Sequence, residues 1–113
     1  MHPVAIAGGS AVPFELELLV GATRYQQWLV DVVRPYLGGR VLELGSGIGN
    51  MSRHLPVEER LVLSEINPEL VRILEERVPS QGNRSVVLVD PSRPLAETFR
   101  SESFDTVLSF NVL

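Results

Sequence analysis

The chain contains no cysteine and no lysine. Without thiols there is no disulfide framework, thiolate-bound zinc, iron–sulfur cluster or cysteine nucleophile. Without lysine there is no Schiff-base chemistry and no phosphate-cradling P-loop, whose motif requires that side chain. Only His2 and His54 supply imidazole, too little for a histidine metal site. No apolar run approaches the roughly 20 residues of a membrane span. The opening Met1–Gly9 carries no basic residue, and its apolar stretch breaks at Gly8-Gly9, unlike a signal peptide. A loose leader over 1–22 and a cytoplasmic compartment, with no membrane partner, are the expectations.

What is present is an ordinary globular balance: 113 residues, 44% hydrophobic and 21% charged, enough for one domain. All ten basic residues are arginine, and the net charge is -4. That balance argues against a broad phosphate-binding face and against a nucleic-acid partner.

Tyr25, Trp28, Leu29, Val32, Val33 and Tyr36 recur with helical spacing. They predict a helix over 23–36 with a buried stripe, Thr23 as N-cap and an end or kink near Pro35. Arg40–Leu44 predicts a strand entering the glycine turn Gly45–Gly49, with a short helix over 50–55 stopped by Pro56. Arg60–Ser64 predicts a second strand ending at Glu65. Asn67-Pro68 marks a helix start with Asn as cap, and Leu70, Val71, Ile73, Leu74 and Val78 form its buried face. Pro79 and Gly82 are expected to end that helix. Ser85–Val89 predicts a third strand ending at Asp90, a weak helical turn leads to Phe99, and 104–110 predicts a fourth strand. Strands apolar on both faces and alternating with helices imply an α/β fold with a parallel sheet covered on both sides. Ligands of such sheets bind at the carboxyl ends of the strands, where Gly45, Glu65, Asp90 and Asn111 fall.

A strand feeding a glycine turn lets bare backbone approach a ligand closely. Glu65 closes the next strand twenty residues after Gly45, where a carboxylate can accept from two ribose hydroxyls. Together these point to a nucleoside site. The dinucleotide fingerprint G-x-G-x-x-G/A puts Asn50 at its third glycine and fails.

The spacing Glu43-x-Gly45-x-Gly47-x-Gly49 resembles motif I of the class I S-adenosylmethionine-dependent methyltransferases. The likeness extends over 23–113, the expected domain. It implies a Rossmann-like parallel sheet in the order 3-2-1-4, the first four strands of a seven-stranded domain. It implies S-adenosylmethionine as cofactor, with Glu43 near its amino end and Gly45, Ser46 and Gly47 under its methionine part. Glu65 would hold the ribose, Ile66 would pack on the adenine, and Asp90 would face the adenine amino group. Asp90 also has a turn-forming reading, because Pro91 follows. Pro91 lacks the N–H that many relatives offer to the ring, and Ser92 is the candidate substitute. Arg24 is a candidate for the cofactor carboxylate. Asp105 reads as a strand-edge or capping residue. The expected function is methyl transfer, to a small-molecule acceptor before other classes, with no catalytic base identified. Two alternatives remain: a truncated, non-catalytic nucleoside-binding module, and a dinucleotide-binding domain. With strand four at the edge of the sheet, association through Phe104–Leu113, or through a missing C-terminal half, is also expected.

Overall fold

The computed structural model describes residues 13–78 and 82–110, with side chains from residue 21 onward. The expectations placed on the leader before Pro13, on Pro79, and on Asn111, Val112 and Leu113 lie outside the described residues. Helix α1 spans Pro13–Val33, followed by a 3-10 turn over Arg34–Tyr36. Strand β1 is Arg40–Leu44, β2 is Arg60–Glu65, and helix α2 is Pro68–Arg77. Strand β3 is Arg84–Leu88, α3 is the short Leu95–Thr98, and β4 is Thr106–Ser109. The strands form one parallel sheet in the order β3-β2-β1-β4, as the resemblance implied.

The sheet is apolar on both faces. On one, Val41, Leu61 and Leu63 meet Val30 of α1, Leu74 of α2, Val78, and Met51, Leu55 and Val57 from the β1–β2 connection. On the other, Leu42 and Val62 meet Val89 and Phe99, with Phe104 packed edge-on to Phe99 at 5.8 Å. Each fully buried Leu or Val contributes roughly 1.5–3 kcal/mol relative to exposure. Among the described residues, cover on this second face stops before β4, where Val107 is 61% exposed. The four-residue α3 is too short to reach across it. Among the described residues no helix is long and apolar enough to cross a membrane.

Three sequence expectations fail here. Helix α1 starts ten residues before Thr23, so Thr23 is interior, not a cap, and residues 13–22 are helical rather than loose. Pro13 is pre-organised for a first turn, and Phe14-Glu15-Leu16-Glu17-Leu18-Leu19 sustains a helix. The stripe it presents inward is also different. Tyr25, Trp28, Val32 and Tyr36 are 49–78% exposed, whereas Val30 is fully buried. Beside Val30, the partly buried residues are Ala22, Gln26, Leu29 and Val33; Leu29, from the expected stripe, packs against the core. The bulky aromatics stack on each other outside, Tyr25 to Trp28 at 6.0 Å. The helix expected over 50–55 is only a 3-10 turn at Ser52–His54. Positive φ persists to Gly49 and Pro56 restricts Leu55, leaving less than two turns for helical residues.

Candidate functional site

The glycine turn leaves β1 with Gly45, Gly47 and Gly49 at φ 68°, 60° and 85°. These left-handed values favour glycine. The turn is pinned by Ser46 N donating to Ser64 O at 2.9 Å and Gly49 N to Ser46 O at 3.0 Å. Gly47 and Gly49 serve different ends. A Cβ on Gly49 would strike Leu74 and Val78 at 2.9 and 3.0 Å, so Gly49 lets α2 close on the turn. A Cβ on Gly47 would meet nothing within 4 Å, so its flank is open.

Glu65 at the end of β2 is only 8% exposed. Its Oε1 accepts from Gly47 N at 3.0 Å, and its Oε2 accepts from Ile66 N and Asn67 N, each at 2.9 Å. One carboxylate therefore ties the glycine turn to the turn that starts α2. Asn67 caps α2 as expected, its Oδ1 accepting from Glu69 N at 2.9 Å and Leu70 N at 3.4 Å. A carboxylate has about four acceptor sites. Three of these are engaged by backbone donors, and Glu65 retains acceptor capacity for a further direct bond.

Glu43 is 2% exposed and its Oε1 accepts from Ser52 Oγ. Its own carbonyl accepts from Ser64 Oγ at 2.7 Å. Burial pushes the Glu43 carboxyl above its ordinary range, and the Ser52 and Ser46 hydroxyls offset part of that shift. The Ser46 hydroxyl lies close enough to favour the charged form, yet its oxygen is enclosed and has no partner at hydrogen-bond geometry.

A cleft of about 350 Å³ opens here, lined by Glu43, Gly45, Ser46, Gly47, Ile48, Asn50, Met51, Leu70 and Phe110. Four of the expected site residues share it, and Glu65 joins through Gly47. Glu43 is the one ionisable side chain among these lining residues. Ile66 and Asp90 do not line the cleft; Ile66 is 59% exposed at the strand end beyond Glu65. Asp90 is exposed and makes the turn its alternative reading anticipated: Oδ1 accepts from Ser92 N at 2.9 Å and Ser92 Oγ at 2.7 Å. Those bonds, led by the hydroxyl, hold its carboxyl below the ordinary range. They also commit Ser92, the expected stand-in for the missing Pro91 donor, to the turn itself. Arg24 is exposed on α1 and does not line the cleft.

Sequence reasoning missed Ser52 and the lining residues Ile48, Asn50, Met51, Leu70 and Phe110. A usable signal existed only for Ser52: an acid at an inward strand position needs a donor, and a hydroxyl nine residues later, past a tight turn, can return to it. Among the described residues no cluster of metal-ligating groups occurs.

Residues 42–113 match the methyltransferase domain family. A probable ribosomal RNA small subunit methyltransferase A from Methanosarcina barkeri is 35% identical over 80 residues, 62% of this chain and 28% of that protein. The crystal structure of magnesium protoporphyrin IX methyltransferase from Synechocystis, with bound S-adenosylhomocysteine, aligns with a TM-score of 0.59 at 19% identity. It covers 95% of this chain and 50% of that one. Fibrillarin from Aeropyrum pernix, with bound S-adenosyl-L-methionine, aligns with a TM-score of 0.55 at 24% identity, covering 68% and 35%. The chain thus spans half or less of the length of these relatives, and its likeness to the solved structures is one of fold. The match over 42–113 begins within the strand that carries Glu43 and takes in the glycine turn, Glu65 and the other three strands: this chain belongs to the methyltransferase domain family.

Proposed function

We propose that the cleft binds the amino-acid end of S-adenosylmethionine and that the chain is the cofactor-binding part of an S-adenosylmethionine-dependent methyltransferase. The single observation that carries this reading is the buried Glu43 carboxylate in a cleft lined by no cation. A lone buried carboxylate costs several kcal/mol unless something offsets it. An ammonium group is a matching occupant; a phosphate is not. The open flank of Gly47 and the enclosed, unpartnered Ser46 hydroxyl fit the same ligand, giving backbone room and one more polar contact. The dinucleotide alternative is disfavoured further because a three-residue 3-10 turn follows the glycines. It lacks the α-helix N-terminus that would attract a pyrophosphate.

When bound, the cofactor supplies an electrophilic methyl group on a sulfonium. The residues of this chain bind and orient. Glu43 accepts from a cationic amine, and Gly45 and Gly47 let the backbone lie along the ligand. Glu65 uses its remaining acceptor capacity for one ribose hydroxyl. Ile66 offers an exposed apolar face to the adenine, with Asp90 beyond it at the end of the next strand. Holding a methyl donor in one orientation is the main service such a site renders to an in-line transfer.

For the acceptor, the net charge of -4 favours a small molecule over a polyanion. A ribosomal RNA acceptor is the second reading, favoured by the archaeal relative. Among the described residues, β4 pairs only with β1 and its outer face lacks cover, which supports association there, with a further part of the domain or another chain. Calorimetric titration with S-adenosylmethionine, S-adenosylhomocysteine and NAD tests the cofactor. Binding of the first two and not of NAD is expected; the reverse would refute the reading. Transfer of a labelled methyl group to small-molecule or RNA pools then separates the two acceptor classes, and no transfer to either would favour the non-catalytic module.

A further inference from the structure

The one ionisable group in the cleft is held by a residue outside the glycine motif. Ser52 is fully buried, and its hydroxyl donates to Oε1 of Glu43. It opens the 3-10 turn, and backbone bonds fix it in place. Leu55 N donates to Ser52 O and Arg53 N to Gly49 O, both at 3.2 Å. A hydroxyl orients a carboxylate without cancelling its charge; an arginine in the same place would neutralise it. The engaged oxygen restrains the Glu43 side chain, which lines the cleft, and its bond to Ser52 leaves Oε2 unengaged by that hydroxyl.

We propose that Ser52 is a positioning residue, which fixes the Glu43 carboxylate as acceptor for the ammonium group on the ligand's amino-acid tail. The proposal rests on the cofactor reading above and adds to it the residue that makes motif-borne Glu43 competent. Ser52 also favours the charged form of Glu43 against the effect of burial. The nearby hydroxyls of Ser46 and the amide of Asn50 do not titrate. Glu65, bonded to Gly47 at the end of β2, and Asp90, in its turn beyond β3, are the other carboxylates at this end of the sheet and are common to all the variants below.

The test compares two probes by calorimetry on the full chain. S-adenosylhomocysteine carries the amino-acid tail; 5′-methylthioadenosine shares the adenosine and sulfur but lacks the tail. Ser52→Ala should weaken the first about tenfold and leave the second within about twofold, as expected for one hydrogen bond to a charged group. Ser52→Thr, which keeps the hydroxyl, should restore binding. In a Glu43→Gln background, Ser52→Ala should have no further effect on the first probe. On acidification, Ser52→Ala should lose affinity for S-adenosylhomocysteine at a higher pH than the wild type, whereas a merely structural serine would weaken both probes alike at every pH. Equal affinity for S-adenosylhomocysteine in folded wild-type and Ser52→Ala proteins, or a parallel loss of both probes, overturns this proposal alone. A wild-type protein that binds neither probe overturns the cofactor reading and this proposal together.

Discussion

The two ends of the sheet use the same residue types for opposite purposes. At the amino ends of the strands, acids meet cations and capping donors. Arg60 pairs with Glu102 at 2.8 Å and donates to Ser85 Oγ at 2.8 Å, and Arg40 reaches Glu59 and Glu102 at 3.6 Å. Asp105 Oδ2 accepts from Gly39 N and Arg40 N at 3.0 and 3.1 Å, while Oδ1 accepts from Thr106 Oγ1 at 2.8 Å. At the carboxyl ends, Glu43 and Glu65 are bonded to hydroxyls and backbone N–H groups, with no guanidinium among their hydrogen-bond partners in the described residues. Charge is neutralised at one end and left available at the other. Stability is gathered where no ligand needs to go, and the cost of buried, unneutralised charge is borne where a ligand can offset it.

The contrast breaks most sharply at Gly47. Gly47→Val should abolish measurable binding of S-adenosylhomocysteine while the protein stays folded, because a β-branched residue fills the open flank and strains a φ of +60°. Wild-type affinity in folded Gly47→Val protein would put the ligand elsewhere.

Next comes Glu65→Ala, with a loss of about 2–3 kcal/mol in affinity for the same ligand. Because Glu65 also holds three backbone donors, the Gly47 amide should exchange faster with solvent in the ligand-free variant. Unchanged affinity would sink the ribose assignment, and unchanged exchange would sink the staple.

The third prediction uses pH to set the ends against each other. The folded carboxyl of Glu43 titrates above its ordinary value of about 4.3, so folding favours its protonated form. Its contribution to stability is fully present below that value and is lost as pH rises through the folded pKa. Glu43→Gln, which removes that loss, should melt higher than wild type at neutral pH and converge with it in acid, while binding the ligand less well. Melting curves across pH check the sign.

Glu102 behaves in reverse and more weakly. Its bond from Arg60 holds its carboxyl below the ordinary range. It stabilises above the unfolded pKa, and the contribution is lost as pH falls through the folded one. Glu102→Gln should lower the melting temperature modestly at neutral pH, with the penalty fading in acid and ligand affinity unchanged. A change in affinity would show that the two ends are coupled. The smallest effect is expected at Asp90. Asp90→Ala, at an exposed turn, should cost binding no more than about 1 kcal/mol.

Local chemistry made much of this protein legible from its residues. The four strands, the Asn67 cap, the glycine turn and the acids at strand ends all follow from short-range rules: apolar runs, Asn-Pro at a helix start, glycines where φ must be positive. The spacing of Glu43 and the glycines also carried the family. Direction and partnership were not legible. Helical periodicity showed an apolar stripe on α1, but the tertiary packing buried Val30, with Leu29 against the core, and left Tyr25 and Trp28 outside. Ser52 bonds Glu43 only because the turn folds it back nine residues later. Glu65 was readable as an acid near a sugar, but not as the staple on Gly47, because that bond joins two strands side by side in the sheet. Propensity and pattern act along the chain, whereas burial and hydrogen-bond partnership are set by contacts between segments distant in sequence, so those waited on the tertiary structure.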